Sequence, residues 1–253
     1  MPADFFITGT SRGLGLGLAR AFLKQGRQGI GLSRSPAPLD HPGYQHIQAD
    51  LATFETISAC LQPVFSGCPQ LQTVILNAAL ITPLHTAPET THKEFARLMD
   101  VNVWANKALL DAVIAAAIEV EQVVLISSGV AVHPLRGQAA YCLSKAALNM
   151  LAQLYAEEMP DTHVCALAPG VIDTPMQAQL SHQIDPRFPA TIQLSKLRGT
   201  TTMPDENTAG KKLAALLPLL PTKIETGGFA AISYTDEGLA LSRVTTQRES
   251  LTL

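Results

Sequence analysis

A tyrosine and a lysine stand four residues apart in a segment with helical spacing. Tyr141 and Lys145 form the pattern Y-x-x-x-K, and positions i and i+4 lie on one face of a helix. A tyrosine in water has a pKa of about 10, and a neighbouring ammonium favours the phenolate and lowers that pKa. The pair therefore predicts a general acid/base that works near neutral pH.

A glycine-rich turn follows the first short apolar run. Gly9, Gly13 and Gly15 are spaced G-x-x-x-G-x-G, whereas the widespread dinucleotide fingerprint G-x-G-x-x-G needs a glycine where Leu18 stands. The physics is the same, because glycines let the backbone turn tightly near a pyrophosphate and the following helix offers free N–H groups. The turn is either a dinucleotide-phosphate site or an ordinary strand-to-helix turn, and the density of glycines favours the phosphate site.

The end of the second apolar run indicates which dinucleotide would bind. An acid about 20 residues after the glycines typically holds the ribose 2′-hydroxyl of NAD, and no acid stands in residues 31–35. Arg34 lies there instead, and together with Arg12 it could meet a 2′-phosphate, which guanidinium groups bind well. The two arginines favour NADP(H), unless both are solvated surface side chains.

Short apolar runs alternate with segments of helical spacing along the chain. The strand candidates are Asp4–Thr8, Gly29–Ser33, Tyr44–Ala49, Gln72–Asn77, Gln122–Ser127, His163–Ala168 and Gly228–Ser233. The helix candidates are Leu14–Gln25, Thr53–Phe65, Thr91–Asn102, Val103–Ala117, Tyr141–Glu158 and Lys211–Leu217. This alternation predicts an α/β fold with one doubly wound parallel sheet and helices on both faces.

Neither a linker nor an internal repeat divides the sequence, so residues 1–253 are predicted to form a single domain. Two stretches have no regular pattern. Residues 176–205, the lid segment, are polar and contain prolines, which is typical of a loop that covers a substrate. Residues 235–253, the polar tail, are expected either to be poorly ordered or to reach a neighbouring subunit.

Composition and patterning argue against several classes of protein. Apolar residues make up 47% of the chain, which is enough for a large core. The formal net charge of −3, without a basic stripe, argues against a nucleic-acid partner. The sequence contains no run of about 18 apolar residues, no secretory leader, no C-x-x-C pair and no metal-ligand spacing of histidines. We therefore expect a cytoplasmic protein with reduced cysteines, no membrane segment and no metal site.

The glycine spacing from Thr8 to Gly15, together with the Y-x-x-x-K pair, resembles the short-chain dehydrogenase/reductase family over residues 4 to about 233. The resemblance implies a Rossmann-type fold and a catalytic tetrad of Asn102, Ser128, Tyr141 and Lys145. In that tetrad the serine hydrogen-bonds the reacting carbonyl, and the asparagine helps to hold a water beside the lysine in a proton relay. Ser128 lies 13 residues before Tyr141, which is the family's spacing, so Ser127 is the less favoured of the two serines.

The resemblance also implies an NADP(H) site. Besides Tyr141 and Lys145, the implied cofactor-binding residues are Gly9, Ser11, Arg12, Gly13, Leu14, Gly15, Arg34, Asp50, Leu51, Asn77, Pro169, Gly170, Val171 and Thr174. Asp50 would lie beside the adenine, with a helix N-cap as its competing role. The family's N-N-A-G after the fourth strand is here Leu76-Asn77-Ala78-Ala79, so the backbone near the adenosine ribose is expected to sit differently.

Within the family, residues 169–177 look like the corresponding segment of sepiapterin reductases and bacterial benzil reductases, which reduce vicinal dicarbonyls with NADPH. The similarity implies reduction of one carbonyl of a 1,2-dicarbonyl or pterin-like compound, with Met176 and Gln177 at the entrance of the substrate site. The apolar surface of the lid segment would come from Leu180, Ile184, Phe188 and Ile192. Asp236 either anchors a pterin, as a C-terminal aspartate does in sepiapterin reductases, or is an ordinary surface acid.

Two other functions stay open at this point. The first is a different reductase or alcohol dehydrogenase of the same family, for example one acting on 3-oxoacyl thioesters. The second is an NADPH-sensing protein without catalysis, although such a sensor has no need of Tyr141 and Lys145 together. Family members commonly pair through the helices equivalent to Val103–Ala117 and Tyr141–Glu158, so a homodimer or homotetramer is expected.

Overall fold

The computed structural model describes residues 3–243, and the strands within this range form one sheet. They are β1 (Phe5–Thr8), β2 (Gly29–Ser33), β3 (Tyr44–Gln48), β4 (Gln70–Leu76), β5 (Glu119–Ile126), β6 (His163–Ala168), β7 (Phe229–Thr235) and β8 (Gly238–Arg243). Their order in the sheet is β3-β2-β1-β4-β5-β6-β7-β8, and every neighbouring pair is parallel except β7 with β8. The chain starts inside the sheet and winds outward in both directions, which confirms the predicted doubly wound fold.

Helices cover both faces of this sheet. They are α1 (Gly13–Lys24), α2 (Ile57–Phe65), α3 (His92–Met99), α4 (Ala105–Ala115), α5 (Ala139–Glu158), α6 (Pro175–Ser181), α7 (Pro189–Ser195), α8 (Glu206–Leu216) and α9 (Leu220–Lys223). One core packs α2, α4 and α5 against the sheet, and a second core packs α1, α8 and α9 on the opposite face. Because both faces are covered, the central strands are continuous apolar runs instead of alternating ones.

The helical region between residues 91 and 117 differs from the two separate helices predicted. It runs from α3 through a π-helical turn, Asp100–Trp104, into α4. In that turn the Ala105 N–H donates to the Asp100 carbonyl, five residues back. A π turn widens the helix locally and is often found at a functional site. Here it holds Asn102 fully buried within the fold.

The lid segment is more regular than its sequence suggested. It contains α6 and α7, each with proline in its first turn, where the missing N–H costs nothing. Thr174 caps α6, since its hydroxyl accepts a hydrogen bond from the Gln177 N–H. The next helix, α8, begins at Glu206 and not at Lys211, because Asp205 caps it by accepting from two backbone N–H groups.

Poor order, one of the two alternatives predicted for the polar tail, was wrong for its first part. Residues 238–243 form β8, which turns back and pairs antiparallel with β7 at the edge of the sheet. Leu239 and Leu241 alternate along this strand and pack against the core, which is the pattern of a half-covered edge strand. Residues 244–253 lie outside the described residues. Within 3–243, no helix is long and apolar enough to cross a membrane.

Candidate active site

The carboxyl ends of the parallel strands border a single cleft of about 1410 Å³. Open α/β sheets bind ligands at this edge, where the winding direction changes. The structure brings most of the sequence-predicted site residues to the cleft wall: Gly9, Ser11, Arg12, Gly13, Leu14, Arg34, Asp50, Leu51, Asn77, Ser128, Tyr141, Lys145, Pro169, Gly170, Val171, Thr174, Met176 and Gln177. Gly15 and Asn102 are buried behind the wall.

Lys145 reaches the cleft from inside the protein. Its side chain is buried, and its ammonium nitrogen donates to the Ile126 carbonyl at 2.7 Å, where β5 ends. The nitrogen lies 5.6 Å from the centre of the Tyr141 ring, on the same face of α5. Burial disfavours the charged form and lowers the pKa of Lys145 to about 7.

Tyr141 does not have the lowered pKa that its neighbour suggested. Burial raises the pKa of Tyr141 to about 12, although a hydrogen bond with the Ser128 side chain acts in the opposite direction. The reason is that desolvation penalises the phenolate, while the nearby ammonium is itself desolvated and turned toward the Ile126 carbonyl. At neutral pH the phenol therefore keeps its proton, which is the state a proton donor needs.

The two neighbouring serines have different surroundings. Ser128 is half-buried and accepts a hydrogen bond from the Val130 N–H at 3.4 Å, beginning the short turn after β5. The buried Ser127 hydroxyl donates to the Asn149 side-chain oxygen at 2.5 Å, inside α5. The Ser127 hydroxyl is thus engaged in packing β5 against α5, and Ser128 is the one whose hydroxyl is near Tyr141.

Asn102 joins three elements from its position in the π turn. Its side chain accepts from the Leu80 N–H at 2.8 Å and donates to the Leu80 carbonyl and the Ser144 hydroxyl at 3.0 Å each. Its main-chain carbonyl accepts from the Asn106 side chain at 2.7 Å.

The glycine loop has the form that a phosphate site requires. Gly9 has a φ of +79°, and a Cβ at Gly15 would lie 2.4 Å from the Gly9 carbonyl oxygen, so a larger residue fits at neither position. Asn77 braces the loop from β4 by donating to the Thr8 carbonyl at 2.9 Å. Helix α1 begins without a side-chain cap, which leaves its first N–H groups available to an anion.

The far end of the cleft carries positive charge. Arg12 and Arg34 are exposed on its wall, and in the described part of the chain neither has an ion-pair partner. Asp50 accepts a hydrogen bond from the Ala52 N–H at 3.0 Å, so it holds the turn before α2. These residues fit a dinucleotide with a 2′-phosphate: a glycine cradle at the pyrophosphate position and two free guanidinium groups beyond it.

Ion pairs join the lid segment to two neighbouring loops. Arg198 pairs with Asp173, in the loop after β6, at 2.8 Å. Arg187 pairs with Asp185 and with Glu89, each at 2.8 Å, which ties the segment to the loop before α3. Asp236 hydrogen-bonds the Thr201 hydroxyl and does not line the cleft, so its observed role is to join the β7–β8 turn to the lid segment.

The apolar surface predicted for the lid segment was largely wrong. Of its four residues only Leu180 lines the cleft. Phe188 is fully buried against Leu84, and Ile184 is 77% exposed to solvent on the outside. The spacing of these residues reflects packing of the segment against the preceding loops, which a pattern of apolar residues cannot distinguish from contact with a ligand.

Sequence reasoning missed several residues of the cleft. Leu80 and Ile81 follow β4, and His133, Leu135 and Gln138 lie between Ser128 and Tyr141. For the last three of these residues, the only signal in the sequence was their position between the predicted catalytic residues Ser128 and Tyr141. Lys93 and Arg97 on α3 also border the cleft, one helical turn apart. Among residues 3–243, no group of three His, Cys, Asp or Glu side chains could hold a metal ion.

Comparisons with known proteins identify the family of the chain. A family model described as short chain dehydrogenase matches residues 5–185. Benzil reductase ((S)-benzoin forming) of Bacillus subtilis (strain 168) is 30% identical over 224 residues, covering 84% of this chain and 92% of that protein. Sepiapterin reductase of Rattus norvegicus is 41% identical over 97 residues, covering 38% of this chain and 36% of that protein. A solved short chain dehydrogenases/reductase from Saccharomyces cerevisiae has a TM-score of 0.78 at 22% identity, covering 90% of this chain and 94% of that one.

The chain belongs to the short-chain dehydrogenase/reductase family and is an oxidoreductase of that family. Its fold is the family's Rossmann fold. Such enzymes bind nicotinamide cofactors, and NAD and NADH are present in solved structures of similar fold.

Proposed function

We propose that this protein uses NADPH to reduce one carbonyl of a 1,2-dicarbonyl or pterin-like compound to a hydroxyl. The observation that carries the proposal is the convergence, in one cleft, of a protonated Tyr141, the buried Lys145 and Ser128 with the glycine loop of α1. The likeness to proteins named benzil reductase and sepiapterin reductase supports the substrate class.

Each catalytic side chain has a role that follows from its surroundings. Ser128 and Tyr141 hydrogen-bond the reacting carbonyl oxygen and polarise it. Tyr141 then gives its proton to the oxygen as negative charge develops there. Lys145, fixed by the Ile126 carbonyl, places positive charge beside the tyrosine and stabilises the phenolate that remains. Asn102 positions α5 and the loop after β4 around this group.

The cofactor residues divide by chemistry. Gly9, Ser11, Gly13 and Leu14 would hold the pyrophosphate, and Gly15 would let the loop close behind them because it packs against the Gly9 carbonyl. Arg12 and Arg34 would hold the 2′-phosphate, and Asp50, Leu51 and Asn77 the adenosine. Pro169, Gly170, Val171 and Thr174 would hold the nicotinamide end. When bound, NADPH supplies the hydride that the carbonyl carbon receives.

The residues that line the substrate end of the cleft favour an apolar, fairly flat substrate. Leu80, Ile81, Leu135, Met176 and Leu180 line it. A phosphorylated sugar would require several converging cations, whereas a pocket with mainly apolar walls and a few polar groups fits an aromatic carbonyl compound. Met176 and Gln177 follow Thr174 after one proline, Pro175, and would lie at the entrance.

Steady-state kinetics with NADPH, followed at 340 nm, test this function. The panel contains benzil, 1-phenyl-1,2-propanedione and sepiapterin, beside acetoacetyl thioesters and simple ketones. We expect at least one dicarbonyl to give the highest kcat/KM. A thioester or simple ketone above every dicarbonyl would overturn the substrate class and leave the family unaffected. A cofactor-binding protein without turnover on any of them would favour a sensing role.

The oligomeric state of the protein is part of the same proposal. Trp104, Leu143, Met150 and Leu154 are large apolar side chains between 44% and 58% exposed, next to or on α4 and α5. Leu143, Met150 and Leu154 share one face of α5 at helical spacing. A homodimer or homotetramer would bury this face. A cytoplasmic location and a single domain over 1–253 are also part of the proposal, and the four free cysteines are compatible with that location.

A further inference from the structure

A tyrosine of β3 fills the space that Gly31 leaves open in β2. The two strands are parallel neighbours, and His46 stands opposite Gly31 in their register. A Cβ at Gly31 would lie 1.9 Å from the Tyr44 hydroxyl oxygen and 2.6 Å from the Thr10 hydroxyl oxygen. The polar end of Tyr44 therefore crosses β2 and reaches the glycine loop, and only a glycine fits at position 31.

The Tyr44 hydroxyl joins two other polar side chains. It donates to the Thr10 hydroxyl at 2.9 Å, and its oxygen lies 3.2 Å from Nδ1 of His46. A hydroxyl has one proton to donate and lone pairs that accept, so it can hold both hydrogen bonds at once. Thr10 is fully buried, which keeps water from replacing Tyr44 as its partner. The three side chains thus form one chain of hydrogen bonds from β3 to the glycine loop.

At one end of this chain, His46 lies beside the turn that carries Arg34. Burial lowers the pKa of His46, and the backbone carbonyls of Ser33 and Ser35, on either side of Arg34, act in the opposite direction. The ring nitrogen Nε2 makes no hydrogen bond within residues 3–243, so these carbonyls act on the ring as neighbouring dipoles. The Ser33 hydroxyl donates to the Ser35 carbonyl at 2.8 Å and holds the turn closed, with Arg34 exposed on the cleft wall.

The other end of the chain adjoins Arg12. Thr10 stands two residues before Arg12 in the glycine loop. The phosphate cradle of this loop has a support of its own, because Asn77 donates to the Thr8 carbonyl at 2.9 Å. The chain through Tyr44 adds something different, which is a fixed separation between the loop that carries one arginine and the turn that carries the other.

We propose that Tyr44 and His46 are positioning residues that set the spacing of Arg12 and Arg34 for the 2′-phosphate of NADPH. The inference rests on the proposed function and explains how the fold would strengthen its choice of cofactor. Pairs of guanidinium and phosphate depend on direction and distance, and groups held in place beforehand bind without an ordering cost. NADH has a hydroxyl at this position and gains nothing from the spacing. Neither Tyr44 nor His46 lines the cleft, so both act through the arginines.

The test compares two cofactors that differ only in the 2′-phosphate. Fluorescence of the reduced nicotinamide gives the Kd of NADPH and of NADH without a substrate. We expect wild type to bind NADPH at least about 10-fold more tightly. In Tyr44→Phe, which removes one hydroxyl and keeps the ring, this ratio should fall by about 3- to 10-fold through weaker NADPH binding. The Kd of NADH and the kcat with NADPH should stay within about 2-fold of wild type.

Two further variants separate positioning from general damage to the fold. His46→Leu breaks the same chain from its other side and should lower the ratio by a similar factor; it also serves as the test if Tyr44→Phe folds poorly. Tyr155→Phe is the matched control, because it removes a hydroxyl that is bonded to Asp111 away from the cleft, and it should leave the ratio unchanged. Thermal melting checks the folding of each variant.

The double variant Tyr44→Phe/His46→Leu tests whether the two residues act together. Residues in one hydrogen-bond network are not additive, so the double variant should lose about as much as the larger single effect. Losses that multiply would show two independent effects and would overturn the chain as the cause.

The remaining outcomes separate this inference from the proposed function. An unchanged ratio in Tyr44→Phe and His46→Leu, or equal weakening of NADPH and NADH in both, would overturn the positioning role while the preference of wild type for NADPH stands. Equal Kd values of wild type for the two cofactors would refute the proposed cofactor and the positioning role with it. Only this second failure is visible in the wild-type protein.

Discussion

The ammonium nitrogen of Lys145 lies 2.7 Å from the carbonyl oxygen of Ile126. This contact joins the middle of the sheet to helix α5 and fixes a buried amine beside the ring of Tyr141. Burial disfavours both charged forms, so the lysine has a pKa of about 7 and the tyrosine one of about 12. The resting pair at neutral pH is therefore a protonated phenol beside a lysine whose charged form is disfavoured by burial.

Replacing Lys145 by Met is expected to stabilise the fold at the expense of activity. The pKa of this lysine is lower in the folded state than its usual 10.5, so the unfolded state binds more protons between pH 7 and 10.5 and wild-type stability rises with pH over that interval. Removing the amine removes this penalty. Lys145→Met should be more stable by about 1–4 kcal/mol at pH 6.5, after allowing for the lost hydrogen bond, and the gap should close toward pH 10.

Urea unfolding at pH 6.5, 8 and 9.5 measures this gap. Lys24→Met, at an exposed position in the last turn of α1, is the matched control and should change stability by about 0.5 kcal/mol or less at every pH. A gap that does not vary with pH would show that Lys145 is not the titrating group.

Tyr141→Phe removes the proton that the developing alkoxide needs. We expect kcat to fall by on the order of 10²–10⁴, the usual contribution of a general acid, with NADPH affinity unchanged within a few-fold. Tyr155→Phe, which removes a hydroxyl bonded to Asp111 between α5 and α4, should keep kcat within a few-fold. Near-normal turnover in Tyr141→Phe would refute the assignment.

Arg34→Ala tests the choice of cofactor. If Arg34 and Arg12 hold the 2′-phosphate, wild type should strongly prefer NADPH, and the substitution should reduce that preference by about 1.5–3 kcal/mol, the range for a charge-assisted hydrogen bond. The ratio of kcat/KM for NADPH and NADH measures it. Lys223→Ala, at an exposed lysine that ends α9, should leave the ratio unchanged. Equal kcat/KM with NADPH and NADH in the wild type would show that neither arginine binds the 2′-phosphate.

Charges on the exposed face of α5 should dissociate the expected oligomer. Met150 and Leu154 are 53% and 56% exposed, and burying an aspartate at either position in a subunit interface is unfavourable. Light scattering after size exclusion should give a dimer or tetramer for wild type and a smaller mass for the double variant Met150→Asp/Leu154→Asp. Ile184→Asp, on the outer side of the lid segment, should keep the wild-type mass. A wild-type monomer would contradict the proposed assembly.

Most of the fold could be predicted because its signals are local. The bounds of β2 and β6 agree with their apolar runs, and the glycine loop places the start of α1. The edge strand β8 and the helices of the lid segment were missed, because polar, short elements gain their order from packing on neighbours and not from their own periodicity. The π turn at Asn102 was missed for the same reason, since it depends on contacts with Leu80 and Ser144.

The sequence by itself determined the family, the cleft's position at the strand ends, and the types of residues that meet there. These features could be predicted because the glycine motif and the Tyr141–Lys145 pair each depend on spacings of only a few residues along the chain. Only the tertiary structure decided the pKa values of Tyr141 and Lys145, the outward position of Ile184, and the hydrogen bond from Tyr44 to Thr10, 34 residues away. Desolvation and hydrogen-bond pairing depend on which distant segments pack together, and no local spacing records that.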